Sequence, residues 1–192
     1  MARKKQFDEE EVLEKATNLF WKQGFHATSI QDLVTELKIN RASLYDTFGG
    51  KEELFQKALQ EYRNKNKNII SNFLANQTSV KEGIKILFLQ AINADAEEAQ
   101  KGCFVVNCTT ELVPNNKDIL AIAIQNREEF EQFFLEFLKK GVEKGEISAN
   151  KNLEVIASLL FVLYNGIKVV GKTNPNLSHL EKSIDEVISL LD

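Results

Sequence analysis

One segment of 28 residues, TSIQDLVTELKINRASLYDTFGGKEELF (residues 28–55), constrains the fold more than any other part of the chain. Its apolar residues recur at helical spacing in two short runs, and a third run begins at Lys51. Asn40 is a suitable N-cap for the second run, and Gly49-Gly50 can close it, because glycine adopts the left-handed conformation that ends helices. The segment therefore predicts two short helices joined by a tight turn, followed by a third helix.

The start of the first short helix is predicted from a capping pattern. Thr28 and Gln31 have the spacing of a capping box, in which the hydroxyl at the N-cap and the side chain three residues later satisfy each other's backbone amides. Ile30, Leu33 and Leu37 then recur on one face. We expect Thr28 to be the N-cap of this helix.

The second short helix, predicted for residues 41–48, has two different faces. Leu44 and Phe48 are four residues apart, so they share a face that should pack inward. The opposite face carries small and polar groups, and a helix divided in this way can lie in a DNA major groove. The alternative is an ordinary helical hairpin with a solvated polar face, since a helix-turn-helix pattern alone has low specificity.

The exposed side of this helix contains the candidate DNA contacts. Arg41 could contact a guanine edge or a phosphate, and Ala42 and the methyl group of Thr47 could touch a thymine methyl. Tyr45 and Lys51 could hydrogen-bond phosphates. Ser43 could contact either phosphates or bases.

Residues 8–62 resemble the DNA-binding domain of TetR-family (TetR/AcrR) transcriptional regulators. The matching positions are Phe20, Gly24-Phe25, Thr28-Ser29-Ile30, Leu33, Leu37, Leu44-Tyr45, Phe48, Lys51-Glu52 and Leu54-Phe55. The resemblance implies phosphate contacts from Thr28, Ser29 and Lys51, and a recognition surface made by Arg41, Ala42, Ser43, Tyr45 and Thr47. Two positions depart from the family's habit, which often has His at position 47 and Asn, Ser or Asp at position 50. The first departure leaves the base preference open.

The rest of the chain also reads as helices, so the predicted fold is all-α, with about nine helices. We expect a helix-turn-helix DNA-binding domain over residues 1–50 and a larger helical ligand-binding and dimerisation domain over residues 51–192. A helix predicted for residues 153–171 is apolar on nearly all sides and must be buried on all sides. The resemblance implies a homodimer through the two C-terminal helices, which would present two recognition helices to a palindromic operator.

Charge and hydropathy exclude several classes of protein. The net charge is −4, and the first 51 residues contain eight basic and eight acidic residues, so a non-specific nucleic-acid coat protein is not expected. The clearest basic cluster is Arg3-Lys4-Lys5, either a DNA-binding arm or a solvated terminus. We expect no signal peptide and no membrane span, because the most apolar run, residues 155–164, is about half the required length. A cytoplasmic location follows.

An enzyme is not expected. His26 and His179 are the two histidines, and neither has metal-ligand spacing with the cysteines. The sequence contains no phosphate-binding glycine loop. We therefore predict no catalytic residues, no metal and no cofactor. A helical adaptor for protein partners is the other alternative, and it predicts no sequence-specific DNA binding.

Regulation would belong to the larger domain. Cys103 follows Gly102 at a predicted helix start beside Lys101, which favours a reactive thiolate, and Gly102-Cys103 resembles a pattern in a branch of the family that responds to electrophiles. The alternative is a small buried residue at a helix junction. We expect a repressor, although activators exist, released by an unknown small molecule or by modification of Cys103. The candidate ligand or sensor residues are Cys103, Phe104, Asn107 and Phe134.

Overall fold

The computed structural model describes residues 7–173 and 178–192, and all regular structure within these ranges is helical. This confirms the all-α prediction. The α-helices of the described residues are α1 (Glu9–Gln23), α2 (Ile30–Leu37), α3 (Arg41–Phe48), α4 (Lys51–Ala75), α5 (Val80–Ile92), α6 (Ala96–Lys101), α7 (Phe104–Leu112), α8 (Lys117–Glu143), α9 (Leu153–Val170) and α10 (Glu181–Ser189). Two short 3-10 helices, Val113–Asn115 and Ser178–Leu180, precede α8 and α10.

Capping side chains define the starts of several helices. Asp8, Ser79 and Asn116 each accept hydrogen bonds from amides of the first turn that follows. The sequence-based description omitted α6, which has only six residues and no buried side chain, so it has no apolar periodicity to detect. The basic cluster Arg3-Lys4-Lys5 lies outside the described residues, as does the predicted start of the last helix near Leu177.

The N-terminal head consists of α1, α2, α3 and the beginning of α4. Its core is a set of fully buried side chains from all four helices, among them Phe20, Leu33, Leu44 and Leu54. The same apolar cluster continues into α7 through Cys103, Phe104, Val105, Cys108 and Leu112. Packing of the head therefore extends beyond residue 50. The predicted domain boundary between residues 50 and 51 stays a prediction.

The larger part of the molecule is built around the long helices α8 and α9. Its core contains Ile84 and Phe88 of α5, Phe134 and Leu138 of α8, and Leu160 of α9, all at most 1% exposed. α10 packs against α5 and adds Ile184 to this cluster. α4 passes from the head to this core, because Leu54 and Phe55 pack in the first cluster and Ile70 and Leu74 in the second.

The helix α9 is apolar along its whole length, as predicted for residues 153–171. It spans Leu153–Val170 with a mean hydropathy of 1.8, so by length and composition it could cross a membrane, and the run 155–164 on which the expectation of no membrane span rested is only part of it. One face already packs in the protein core against α5 and α8. The apolar residues that remain exposed on the helix are Val155, Leu159, Val162, Val169 and Val170.

Candidate functional site

The N-terminus of α2 is capped by Ser29 and not by Thr28. The Ser29 hydroxyl accepts a hydrogen bond from the Asp32 amide (3.1 Å), and the Asp32 carboxylate accepts one from the Ser29 amide (2.8 Å). Thr28 is fully buried, and its hydroxyl donates to the Gly24 carbonyl at 2.6 Å. The predicted capping box of Thr28 and Gln31 is therefore wrong by one residue, because the buried hydroxyl is already used inside the preceding turn.

Hydrogen bonds at this cap favour the charged form of Asp32. The Ser29 hydroxyl donates to Asp32 Oδ2 at 2.6 Å, in addition to the bond from the Ser29 amide. These two bonds, helped by the positive charge of Lys51, hold the pKa of the Asp32 carboxyl below its ordinary value. The cap thus places a negative charge at the helix N-terminus, where the helix dipole stabilises it.

The helix α3 presents the predicted recognition face to solvent. Its inner face is anchored by Leu44 and Phe48, which are almost completely buried, and Asn40 caps its first turn by accepting from the Ser43 amide at 2.8 Å. The outer face carries side chains that are exposed or half-buried: Arg41, Ala42, Ser43, Tyr45, Asp46 and Thr47. The structure brings all five predicted residues of this helix onto one accessible surface.

Lys51 stands at the first position of α4, beside that surface. Gly50 provides no side chain, so the first amides of α4 have no capping side chain. The Lys51 ammonium lies 4.3 Å from the centre of the Phe25 ring, which fixes the side chain between α4 and the turn that follows α1. A helix N-terminus with an adjacent lysine is suited to a phosphate.

A carboxylate from the larger part of the molecule accepts hydrogen bonds from the turn between α1 and α2. Glu111 of α7 accepts hydrogen bonds from the amides of Phe25 (3.1 Å) and His26 (2.7 Å). Gly24 begins this turn with φ of +85°, and a side chain there would place its Cβ 2.8 Å from the Glu111 carboxylate. The close approach of Glu111 therefore depends on a glycine at this position.

Five aromatic rings connect this turn to the middle of the molecule. Ring centres are 4.8 Å apart for Phe25 and Phe55, 5.8 Å for Phe55 and Phe104, 5.6 Å for Phe104 and Tyr62, and 4.9 Å for Tyr62 and Trp21. All four contacts are edge-to-face, an arrangement that aromatic pairs prefer. The rings form a continuous packed row from Phe25 in the α1–α2 turn, through α4 and α7, to Trp21 in the last turn of α1.

The row ends at a cavity of about 440 Å³ between α1, α4, α5, α6 and α9. Trp21 and Tyr62 line one side of it, and Tyr164 and Lys168 of α9 line the other. The volume is in the range of small-molecule binding pockets. The cavity is notable for including α1, since its wall joins the N-terminal head directly to the larger part of the molecule.

Comparison with known proteins identifies the family. Residues 12–58 match the profile described as bacterial regulatory proteins, tetR family. The uncharacterized HTH-type transcriptional regulator YezE of Bacillus subtilis (strain 168) is 30% identical over 195 residues, covering 100% of both chains. The chain belongs to the TetR family. It is a DNA-binding transcriptional regulator, as the resemblance of residues 8–62 implied.

Two further proteins are similar to this TetR-family chain over most of its length. The HTH-type transcriptional repressor ComR of Escherichia coli (strain K12) is 29% identical over 188 residues, covering 93% of this chain and 86% of ComR. A cysteine mutant of the TetR-family regulator CifR, solved in complex with 26-base-pair operator DNA, superimposes with a TM-score of 0.85 at 25% identity, over 97% of this chain and 98% of that one. The similarity to CifR therefore covers the larger helical part as well as the DNA-binding domain.

The four predicted ligand or sensor residues of this TetR-family chain do not form one site. None of them lines the cavity: Cys103, Phe104, Asn107 and Phe134. Phe104 belongs to the aromatic row, Phe134 to the core of the larger part, and Asn107 bonds Lys101 and Lys172. The cavity residues were missed because they come from helices distant in sequence. A lone lysine in the apolar helix α9, Lys168, was the available signal.

Both cysteines are buried and free. Cys103 is the N-cap of α7, as expected from its place after Gly102, but it is only 6% exposed, and its Sγ accepts a hydrogen bond from the Tyr62 hydroxyl at 3.8 Å. It borders a separate void of about 10 Å³, which has room for no more than a water molecule. Burial raises the pKa of Cys108 far above its usual range, so that thiol is unreactive.

Proposed function

We propose that this TetR-family chain is a homodimeric repressor that binds a palindromic operator and is released from it by a small molecule. The observation that carries the proposal is the accessible face of α3, held over the buried Leu44 and Phe48. ComR is named as a repressor, and CifR was solved with operator DNA, which supports repression through direct DNA contact. Action on DNA would take place in the cytoplasm.

The proposed DNA contacts are those that the structure leaves accessible. Arg41, Ala42 and Thr47 would face base edges, where an arginine gives the strongest discrimination by bonding guanine at two atoms. Phosphates would be bound by Ser43 and Tyr45, by Lys51 with the free amides at the start of α4, and by Ser29. We leave Thr28 out of this set, because its side chain is buried and its hydroxyl is bonded to Gly24.

A dimer through α9 and α10 would explain the exposed apolar residues of these helices. Val155 and Val162 are 62% and 60% exposed in the single chain, and Leu190 at the end of α10 is 45% exposed. Contiguous apolar surface of this kind is typical of subunit interfaces. A two-fold dimer presents two α3 helices to successive major grooves, and its operator should therefore be a palindrome.

Release would act through α4 and α7, which both connect the head to the rest of the molecule. α4 runs from Lys51 beside the recognition face to the core of the larger part, and α7 holds the α1–α2 turn through Glu111. A ligand that favours a different position of these helices would change the separation of the two α3 helices. Such a ligand must bind the two arrangements with unequal affinity.

Modification of Cys103 is the other proposed route, and the burial of this thiol makes it the less favourable one. It requires an opening of the junction between α4 and α7, because Tyr62 covers the sulfur. Labelling of the native dimer with iodoacetamide separates the two routes. A rate below that of free cysteine excludes Cys103 as a sensor, and a rate above it would make modification the leading mechanism.

The proposed function is tested by selecting genomic DNA fragments on the purified protein and footprinting those that bind. We expect one short palindrome protected at two half-sites. Arg41→Ala should then weaken operator binding by about tenfold to a hundredfold, as loss of a base-contacting arginine costs about 1–3 kcal/mol. Arg127→Ala is the matched control, because Arg127 is an exposed arginine of α8 that pairs with Glu131.

Two results would contradict the proposal. The first is that no genomic fragment is enriched over random DNA in reducing buffer at moderate salt. This would indicate that the dimer does not recognise a DNA sequence through α3. Equal weakening by Arg41→Ala and Arg127→Ala would indicate a general charge effect in place of recognition by α3.

A further inference from the structure

The cavity is lined by residues of α1, α4, α5, α6 and α9, three of them aromatic, and the polar atoms of two of these aromatic side chains are already bonded. Trp21 Nε1 donates to the Lys101 carbonyl at 3.2 Å, and the Tyr62 hydroxyl donates to Cys103 Sγ. What these two side chains offer to the cavity is therefore their ring surface. Tyr164 adds a third ring from α9. A flat apolar or aromatic body is the kind of molecule that such walls accommodate.

Lys168 places a positive charge on the wall of this cavity, which Glu98 also lines. Its side chain is partly buried, and its ammonium lies 4.4 Å from the centre of the Tyr164 ring. It forms no ion pair with a described carboxylate, and the negative charge of Glu98 acts on it from beyond ion-pair distance. Burial lowers the pKa of Lys168, but Tyr164, Cys103 and Glu98 raise it by more, so the group is charged at neutral pH.

The lysine at the mouth of the cavity is different. Lys65 of α4 lies 3.4 Å from the Glu61 carboxylate and 3.9 Å from that of Glu14, and all three side chains are at least 36% exposed. The rim charges are thus paired and solvated, whereas the interior charge of Lys168 contacts the Tyr164 side chain and has Glu98 on the cavity wall without forming an ion pair. A partly buried charge without an ionic partner is stabilised by an anion from solution.

We propose that this cavity binds an organic carboxylate with an aromatic body, the ring packed between Trp21, Tyr62 and Tyr164 and the carboxylate bonded to Lys168. The proposal rests on the proposed ligand-controlled function and specifies the chemical class of the ligand. Because Trp21 belongs to α1, the ligand would contact the DNA-binding head itself. Through Trp21 and Tyr62 it would also touch the aromatic row that ends beside the α1–α2 turn.

The cavity contains its own spectroscopic probe, since Trp21 is the single tryptophan of the sequence. The experiment titrates the full-length protein, without DNA, with phenylacetate, 3-phenylpropanoate and 4-phenylbutanoate, and with the three corresponding amides, while tryptophan emission is recorded. The acids and amides have the same ring and chain and differ in charge. We expect at least one acid to bind about tenfold or more tightly than its amide, a difference typical of a charge-assisted hydrogen bond.

Variants assign that difference to Lys168. Lys168→Gln should remove the preference for the acid, Lys168→Arg should keep it, and Lys65→Gln at the mouth should leave it unchanged. Equal binding of acids and amides by the unmodified protein overturns the proposal without reliance on any variant. No change of Trp21 emission with any of the six compounds, up to about 10 mM, overturns it as well.

The same titration separates this inference from the proposed function. If no operator is found but the acids bind in a Lys168-dependent manner, the cavity assignment holds and the repressor proposal fails. If an operator is found and the acids do not bind, the repressor proposal holds and the ligand class is wrong.

Discussion

At the scale of single residues, Glu111 is the contact that most directly joins the two parts of the molecule. Its carboxylate accepts from two amides of the α1–α2 turn, which would otherwise be without a protein partner. Replacement by alanine removes both bonds and leaves the Phe25 amide partly buried without its acceptor, while the His26 amide is exposed to water. Loss of a hydrogen bond to a charged group, or of the acceptor of a buried amide, costs about 1–3 kcal/mol.

We therefore predict that Glu111→Ala lowers the free energy of unfolding by about 1–3 kcal/mol, measured by urea denaturation. Glu111→Gln should fall between the parent and the alanine variant, because its single amide oxygen can accept from these donors without a charge. Glu128→Ala, an exposed glutamate of α8, serves as the control. Indistinguishable stability of the two alanine variants would show that water replaces Glu111 without cost.

A second residue-scale prediction concerns the pH dependence of the α2 cap. The pKa of Asp32 is lowered in the folded protein, first by the Ser29 hydroxyl and then by the Ser29 amide. A lowered folded-state pKa means that the carboxylate stabilises the fold fully at pH values above its unfolded pKa of about 4. The contribution is then lost as the pH falls through the lower folded-state value.

Accordingly, the parent should be more stable than Asp32→Asn at neutral pH, and the difference should shrink as the solution is acidified below about pH 4. Urea midpoints of both proteins across this range provide the measurement, and a carboxyl titration of Asp32 by NMR gives the folded pKa directly. A stability difference that stays constant with pH would show that the cap does not depend on the charge of Asp32.

At the scale of elements, α4 is the helix on which the proposed coupling depends. It is continuous from Lys51 to Ala75, yet its middle is polar and includes the exposed Asn64, which accepts from Gln60 at 2.9 Å. Packing does not determine the residue at such a position, so intrinsic helix propensity should be measurable there. Alanine and glycine at position 64 both remove the bond from Gln60 and differ only in propensity.

The prediction is that Asn64→Gly is less stable than Asn64→Ala by about 1 kcal/mol. Amide exchange in the middle of α4 should be correspondingly faster in the glycine variant, by about fivefold if exchange there follows local opening. Equal stabilities and equal exchange rates would indicate that α4 is held by tertiary packing alone at this point.

Helices were predictable from the sequence where caps and apolar spacing agree, and the cavity was not. α3 was predicted at its observed bounds because Asn40 and Gly49 define its two ends locally, and its exposed face follows from eight consecutive residues. Trp21, Tyr62 and Lys168 are instead far apart in the chain, and their positions in the sequence do not show that the fold brings them to one cavity. The predicted Thr28 cap is wrong for a related reason. In the folded chain the Thr28 hydroxyl donates to the Gly24 carbonyl, so it does not cap α2.

At the scale of the whole molecule, an exposed apolar stripe of α9 is the surface on which the proposed dimer depends. The stripe consists of Val155, Leu159, Val162, Gly166 and Val169, spaced three or four residues apart along one side. A side chain added at Gly166 would meet no other atom within 4 Å in the single chain. The glycine is therefore not required by the fold of the protomer, whereas a small residue in an apolar stripe allows two helices to approach closely.

This leads to opposite expectations for the protomer and for the dimer. Gly166→Ala should stabilise the isolated helix by about 1 kcal/mol, because alanine has the higher helix propensity. The same change should weaken dimerisation in sedimentation equilibrium if α9 packs against its copy at this point, and Val162→Glu should abolish it. Ile69→Glu, an equivalent change of an exposed residue on α4, should leave the dimer intact. A dimer unaffected by both α9 variants would place the subunit interface elsewhere and leave the apolar stripe for another partner.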